Sequence, residues 1–474
     1  MPRFRLPPFP RWGTEPTPDH ARALSVQDFT VLWASFLIGV PSLMAGAELA
    51  APRQAGGLGF SFGQLTLAVL LGALLGSALL AGAAWVAGYN GVTTILLLRP
   101  TLGITGSHFL AALNLIFLMG WAAFELGVAA DGLNRALVEL SGLTLGPGAV
   151  VLLALVAGVM LWAGPKAVAV VWVRRFAIWA ALLLFLYLLW VLVGRLDLPT
   201  LVGEPRAPGF WGGVDVMMLL AVLWFPVVAD YARLAADQEA AASSAGVGFG
   251  VGAIVSVMVG ALLVFGGGAG PTGTGVVEAL GVAGAGLAGV ILLSWVALAQ
   301  ADQPFAFLWS ATGSAQVLAP RVEGMYLSAA ALAVVGVAAA GLDPDLLLDY
   351  LRLLLSIYAP IFAVFAADFY VVRRRRYNVD DLYRREGEYR GFNWMAFLPV
   401  LLGFIVYQWI DPAGPPGFAE LVSITTPGGR PLAERFVGVP PALVSMLLSF
   451  AIYAVVGRWR VKEEVHISAI RGRL

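Results

Sequence analysis

Twelve apolar stretches, each long enough to cross about 30 Å of hydrocarbon, fall near residues 28–51, 65–88, 107–130, 147–163, 172–194, 213–229, 247–268, 285–311, 325–341, 346–372, 392–410 and 438–457. Their apolar residues run on rather than alternate, which selects helices over barrel strands, and a spanning helix pairs its backbone groups internally. The expected fold is an all-α polytopic membrane protein of twelve transmembrane helices. Hydrophobic residues make up 59% and charged residues 12% of the chain, about half the roughly 25% charge of a globular domain, which excludes a conventional soluble enzyme. Lys plus Arg balances Asp plus Glu at 29 each, so net charge indicates no nucleic-acid partner and the lipid bilayer is the expected environment. The absence of cysteine removes disulfides and thiolate sites. No metal-ligand spacing, nucleophile elbow or phosphate loop argues for an enzyme or a bound cofactor.

Placement of charge gives the orientation. Residues 1–27 are polar and proline-rich, with no apolar core of a signal peptide, and read as a cytoplasmic tail. With that tail inside the cell, 22 of the 29 Lys and Arg fall on inner connections, including the run Arg373–Arg376 before Tyr377. Both termini are therefore expected in the cytoplasm of a cell whose cytoplasmic membrane holds the chain. Two stretches carry prolines at membrane depth, Pro41 between Gly39 and Gly46 in segment one and Pro226 in segment six. Each proline frees backbone carbonyls, and interruptions five segments apart are what two inverted five-helix repeats place around a midplane site. The chain then divides into a tail (1–27), a first repeat (28–194), a second repeat (195–372), a basic cytoplasmic loop (373–391), two peripheral helices (392–457) and a C-terminal tail (458–474).

Few ionisable groups lie inside the apolar stretches, where a charge costs several kcal/mol and usually faces a cavity or a partner. Glu125 stands in segment three, Asp302 followed by Gln303 in segment eight, and Glu48 in the outer part of segment one. Asp131, Asp215, Asp230 and Asp368 sit near helix ends, where capping is the ordinary role. Trp121 and Glu125 are four residues apart and share a helix face. An indole beside a carboxylate suits a flat heteroaromatic ligand, which stacks on one and donates N–H to the other. The plainer alternatives are an interfacial Trp121, a Glu125 paired with an internal Arg, and an Asp302/Gln303 pair that only joins helices. The glycine patterns at Gly72–Gly76 and Gly248–Gly252 read as helix-packing contacts, and His108 as a boundary residue.

The stretches WGTEPTPDHARALSVQDFTVLW (12–33), LLLRPTLGITGS (96–107), GWAAFEL (120–126), ADYARL (229–234) and ADFYVVRRRRYNVDDLY (367–383) resemble the bacterial purine and cytosine permease branch of the nucleobase–cation symporter-1 family. That resemblance implies ten helices in two inverted repeats plus two peripheral helices, and cation-coupled import of a nucleobase or related heterocycle. It places Trp121 as the stacking tryptophan, with Glu125 where relatives often carry an amide, which favours an amino-bearing ring such as cytosine or adenine. It also aligns Gly39, Ser42 and Leu43 with the interrupted stretch that meets cation and substrate. Ala221 stands where some members carry a large aromatic, with Trp224 one turn on. On segment eight, Ala297, Gln300 and Ala301 fall at the cation-site positions and Asp302 at the substrate-contacting one. Sodium's usual hydroxyl ligands are replaced by Gln300 and Ala301, which turns the expected coupling ion towards H+ rather than Na+. The expected substrate-binding set is Trp121, Glu125, Leu43, Ala221, Trp224, Asp302 and Gln303. Alternatives are a hydroxymethylpyrimidine (thiamine-precursor) or allantoin/hydantoin-type transporter, or an amino-acid transporter on the same fold. The sequence leaves oligomeric state open, and a monomer is compatible with it.

Overall fold

The computed structural model describes residues 13–196, 209–284, 286–299, 302–436 and 438–471. Among the described residues, each of the twelve apolar stretches is mainly helical. Segment one is the pair Val26–Leu37 and Val40–Ala50, bent by 54° at its break. Segments two and three are Phe62–Asn90 and Arg99–Ser141; six and seven are Phe210–Ala232 and Gln238–Gly267. Segment eight comprises Gly286–Ala299 and Asp302–Leu318, nine is Gly324–Gly341, and ten is Pro344–Ala366 with a π-turn to Val372. Eleven is Trp394–Ile410 and twelve is Pro441–Arg471.

Segments four and five lie in one hydrogen-bonded run, Gly148–Val193, of 46 residues. A straight helix of that length would measure about 69 Å, more than twice the roughly 30 Å of hydrocarbon. The helical dihedrals fail where a turn is required: Gly164 has φ 80° and ψ 167°, and Pro165 follows. By length and hydropathy alone, nine helices among the described residues qualify as spans, ten with the bent pair, and Trp394–Ile410 is shorter.

The strongest packing partners follow the order expected of repeats offset by five. Segment one lies on seven as six lies on two, while two packs on seven and three on eight; exchanging each number with its partner five away returns the same set. Eleven and twelve pack on each other and on ten, outside that set. The one–seven crossing is close because glycine lines it. A Cβ on Gly46 would stand 1.9 Å from the Val257 carbonyl oxygen, and one on Gly260 would stand 2.0 Å from that of Leu43. The Gly72–Gly76 and Gly248–Gly252 patterns do the same work: Gly72 meets Met217, Gly76 meets Phe249, and Gly248 meets Thr30 and Trp33.

The interruptions differ from expectation in one respect. Segment one breaks: Gly39 is extended (φ −148°, ψ 170°) and Pro41 enters the first turn of the new helix, where a missing N–H costs nothing. Segment six does not break; Phe210–Ala232 runs through Pro226 as one helix. That helix is enclosed by neighbours, with Phe225 stacked on Phe362 at 4.1 Å, so packing holds its course across the lost hydrogen bond. Segment twelve also continues as helix to Arg471 rather than ending near 457. The tail from Gly13 is packed: Thr17 N–H donates to the Gly91 carbonyl (2.8 Å) and Leu24 N–H to that of Leu234 (3.2 Å).

Candidate functional site

The break in segment one and the start of Asp302–Leu318 meet inside the bundle. Ser35, one turn before Gly39, donates from Oγ to Asp302 Oδ2 at 2.5 Å. The amide of Gln303 lies over Gly39 so closely that a Cβ there would stand 1.9 Å from Nε2. Residue 39 must therefore lack a side chain for the amide to reach the break. Asp302 and Gln303 are buried, and Asp302 is near enough to Glu125 on segment three for the two carboxyls to interact electrostatically.

Trp121 and Glu125 are both buried on the face of segment three that meets segment eight. The indole belongs to a ladder of flat rings. Phe36 stacks on Trp224 (5.0 Å between centroids, 5° between planes), Trp224 on Phe307 (5.0 Å, 19°), and Phe307 on Trp121 (6.3 Å, 28°). Segments one, six, eight and three each contribute one ring. Beside the ladder, Trp121 Nε1, both carboxyl oxygens of Glu125, Asp302 Oδ1 and Gln303 Nε2 are buried without a hydrogen-bond partner among the described residues. Each such atom costs about 1–3 kcal/mol, and native structures rarely leave several together unless water or a ligand meets them.

A cavity of about 290 Å³ reaches Trp121 from the end of the bundle where segment one finishes. Pro41, Met44, Leu220 and Leu223 line its apolar part; Glu48, Arg352 and Asp411 stand along it, with Arg352 Nη2 4.0 Å from Glu48 Oε2. Burial raises the Asp411 carboxyl above its ordinary value, and Arg352 opposes the shift.

The structure thus brings together Trp121, Glu125, Asp302, Gln303 and Gly39, and places Trp224 in the ring ladder. It does not bring Ala221 there: its methyl group lies against Gly76 of segment two. Leu43 is buried with its carbonyl turned to Gly260 of segment seven. Ser42 and Ala297 are buried, and Gln300 and Ala301 lie outside the described residues. Ser35, Phe36 and Phe307 escaped the sequence reading. The spacing that pairs Trp121 with Glu125 would have found two of them, since Ser35 precedes Gly39 by four residues and Phe307 follows Gln303 by four. The helix-end aspartates have partners: Asp131 with Arg135 (2.8 Å), Asp230 with Thr94 (2.8 Å), and Asp215 with the N–H groups of Ala442 and Leu443 that open segment twelve.

Residues 16–424 match the family of permeases for cytosine/purines, uracil, thiamine and allantoin. The chain belongs to that family. Its fold is that of Mhp1, a nucleobase-cation-symport-1 family transporter. The closed conformation of Mhp1 with bromovinylhydantoin bound superposes with a TM-score of 0.74 at 18% identity, covering 96% of each chain. The inward-facing conformation gives 0.71 at 19% identity, covering 97% of this chain and 96% of that one. Among curated relatives, the allantoin permease of Bacillus subtilis (strain 168) is 30% identical over 114 residues, 23% of this chain and 19% of that protein's length.

Proposed function

We propose that this protein is a secondary active importer of a nucleobase or related flat heterocycle, coupled to a cation and working by alternating access. One observation carries the reading: a set of unsatisfied buried polar atoms beside a ladder of stacked rings, whose Trp121 end is reached by a cavity from one end of the bundle. The ring of the substrate enters the wider gap of the ladder, between Trp121 and Phe307. Sandwiching it takes two stacking contacts of about 3.5 Å each, so the two rings, whose centroids now lie 6.3 Å apart, separate further as the substrate enters. Glu125 accepts N–H from the ring edge, which favours amino-bearing rings such as cytosine or adenine, and Asp302 and Gln303 complete the polar side. The bromovinylhydantoin bound by Mhp1 is likewise a ring with N–H groups, which keeps hydantoin and allantoin-type substrates in the same chemical class.

The Arg-rich end, with both termini, is cytoplasmic, so the cavity past Glu48 and Arg352 faces outward and substrate leaves past the packed tail after the repeats rock. The coupling ion is a proton carried by the Glu125/Asp302 pair, two buried acids within electrostatic reach of each other. Two experiments test this. Uptake of radiolabelled cytosine, adenine, guanine, hypoxanthine, uracil, hydroxymethylpyrimidine and allantoin into expressing cells should be saturable for at least one ring and lost in Trp121→Ala. Saturable uptake of none removes the substrate class. In vesicles, a proton gradient alone should drive uptake; a requirement for sodium at fixed pH overturns the proton assignment.

A further inference from the structure

At the Arg-rich end, away from the ring ladder, a second cavity of about 170 Å³ is lined by Arg99, His108, Tyr383, Arg385, Gln316 and Thr14 among others. No carboxylate lines it. Arg99, at the start of segment three, donates from Nε to Ser107 Oγ (3.3 Å) and from Nη1 to the Leu382 carbonyl (2.5 Å). Both bonds are to neutral groups, so its charge is fixed in place but not neutralised, and Nη2 makes no hydrogen bond among the described residues. His108 Nδ1 lies 2.7 Å from the Ile104 carbonyl, which turns Nε2 away from its own helix. Arg385 has neither a hydrogen bond nor an ion pair among the described residues, although Asp368 and Asp381 engage Arg373 and Arg384 on the same loop.

We propose that this cavity is a seat for a phosphate-bearing anion, either the headgroup of an anionic lipid or a free phosphate. Guanidinium groups suit phosphate because their forked donors match its oxygens, and a concave basic site concentrates anions. Basic pockets between helices at the cytoplasmic side hold anionic headgroups by the same physics. Phe109, next to His108, is 61% exposed, so lipid chains can cover the surface beside the cavity mouth.

The seat joins separate parts of the fold. Arg99 and His108 belong to segment three, Gln316 to segment eight, and Tyr383 and Arg385 to the basic loop; the Tyr383 hydroxyl donates to the Thr14 carbonyl of the packed tail at 2.8 Å. An anion held there ties the tail and loop to both repeats and stabilises the closed state of this end.

The test uses the full chain in phosphatidylcholine nanodiscs, with phosphatidylglycerol titrated in and the unfolding temperature followed. Phosphatidylglycerol should raise it, the double variant His108→Ala/Arg385→Ala should weaken the apparent affinity about tenfold, and Arg376→Ala, an exposed arginine on the same loop that does not line the cavity, should change it little. Inorganic phosphate added to pure phosphatidylcholine discs separates the sources: the same shift with the same loss in the double variant assigns the seat to a free anion. No shift with either probe, or an Arg376→Ala effect as large as that of the double variant, overturns the proposal.

Discussion

Two acids in this bundle are equally buried and differently treated. Asp368 and Glu125 are both fully enclosed. Asp368 is saturated: it accepts from Thr101 Oγ1 (3.1 Å), the Tyr377 hydroxyl (2.9 Å), the Tyr453 hydroxyl (2.8 Å) and Arg373 Nε (3.1 Å to Oδ2). That network ties the basic loop to the start of segment three and to segment twelve. Glu125 has no hydrogen-bond partner among the described residues, and three further unpaired atoms, Trp121 Nε1, Asp302 Oδ1 and Gln303 Nε2, stand beside the same ring ladder. Burial alone therefore does not separate a structural acid from a functional one; the number of donors arriving does. One acid holds the fold together at its basic end, and the other is kept ready for something the fold does not itself supply.

Substitutions should separate the two by what they damage. Asp368→Ala removes the acceptor of four donors and the counter-charge of the buried Arg373 side chain, a loss of about 3–5 kcal/mol; the unfolding temperature in detergent should fall sharply, and an unchanged value would deny the network its structural role. Glu125→Gln should do the opposite, leaving the unfolding temperature the same or higher while substrate affinity falls by about 1.5–3 kcal/mol, the worth of hydrogen bonds to a charged group. A stability loss matching that of Asp368→Ala would erase the contrast. Gly39→Ala sharpens it further, because the new methyl group displaces only the flexible Gln303 amide. Affinity should drop by about 1 kcal/mol, the worth of one hydrogen bond, with little change in unfolding temperature; intact transport would remove Gln303 from the site. Ser35→Ala should give the smallest effect, about 0.5–1.5 kcal/mol for its single bond to Asp302, read as a modest fall in unfolding temperature that added ligand offsets.

The same contrast explains what could be read from the sequence. Segment positions were legible because hydrocarbon thickness imposes a length, and the glycine patterns because close helices exclude side chains. Trp121 with Glu125 was legible because four residues make one helical turn. Pro226 misled because a proline states only that a hydrogen bond is missing, and the packing around segment six decides whether the helix bends. Ala221 and Trp224 were both candidates for one pocket wall; only the rotation of segment six shows that one faces Gly76 and the other the rings. Four-residue spacing puts Ser35 on the face of Gly39 and Phe307 on that of Gln303, but Phe36 and the contacts that join these residues across segments one, six and eight follow only from how the helices pack.

The central claim is that the unpaired polar atoms beside the ring ladder await a heterocycle. A structure of the protein with its transported substrate bound tests it most directly. The account predicts a flat ring between Trp121 and Phe307 with an N–H group directed at Glu125 and the Gln303 amide engaged. A substrate held elsewhere in the bundle, with Glu125 untouched and the Phe307–Trp121 gap unchanged, would contradict it.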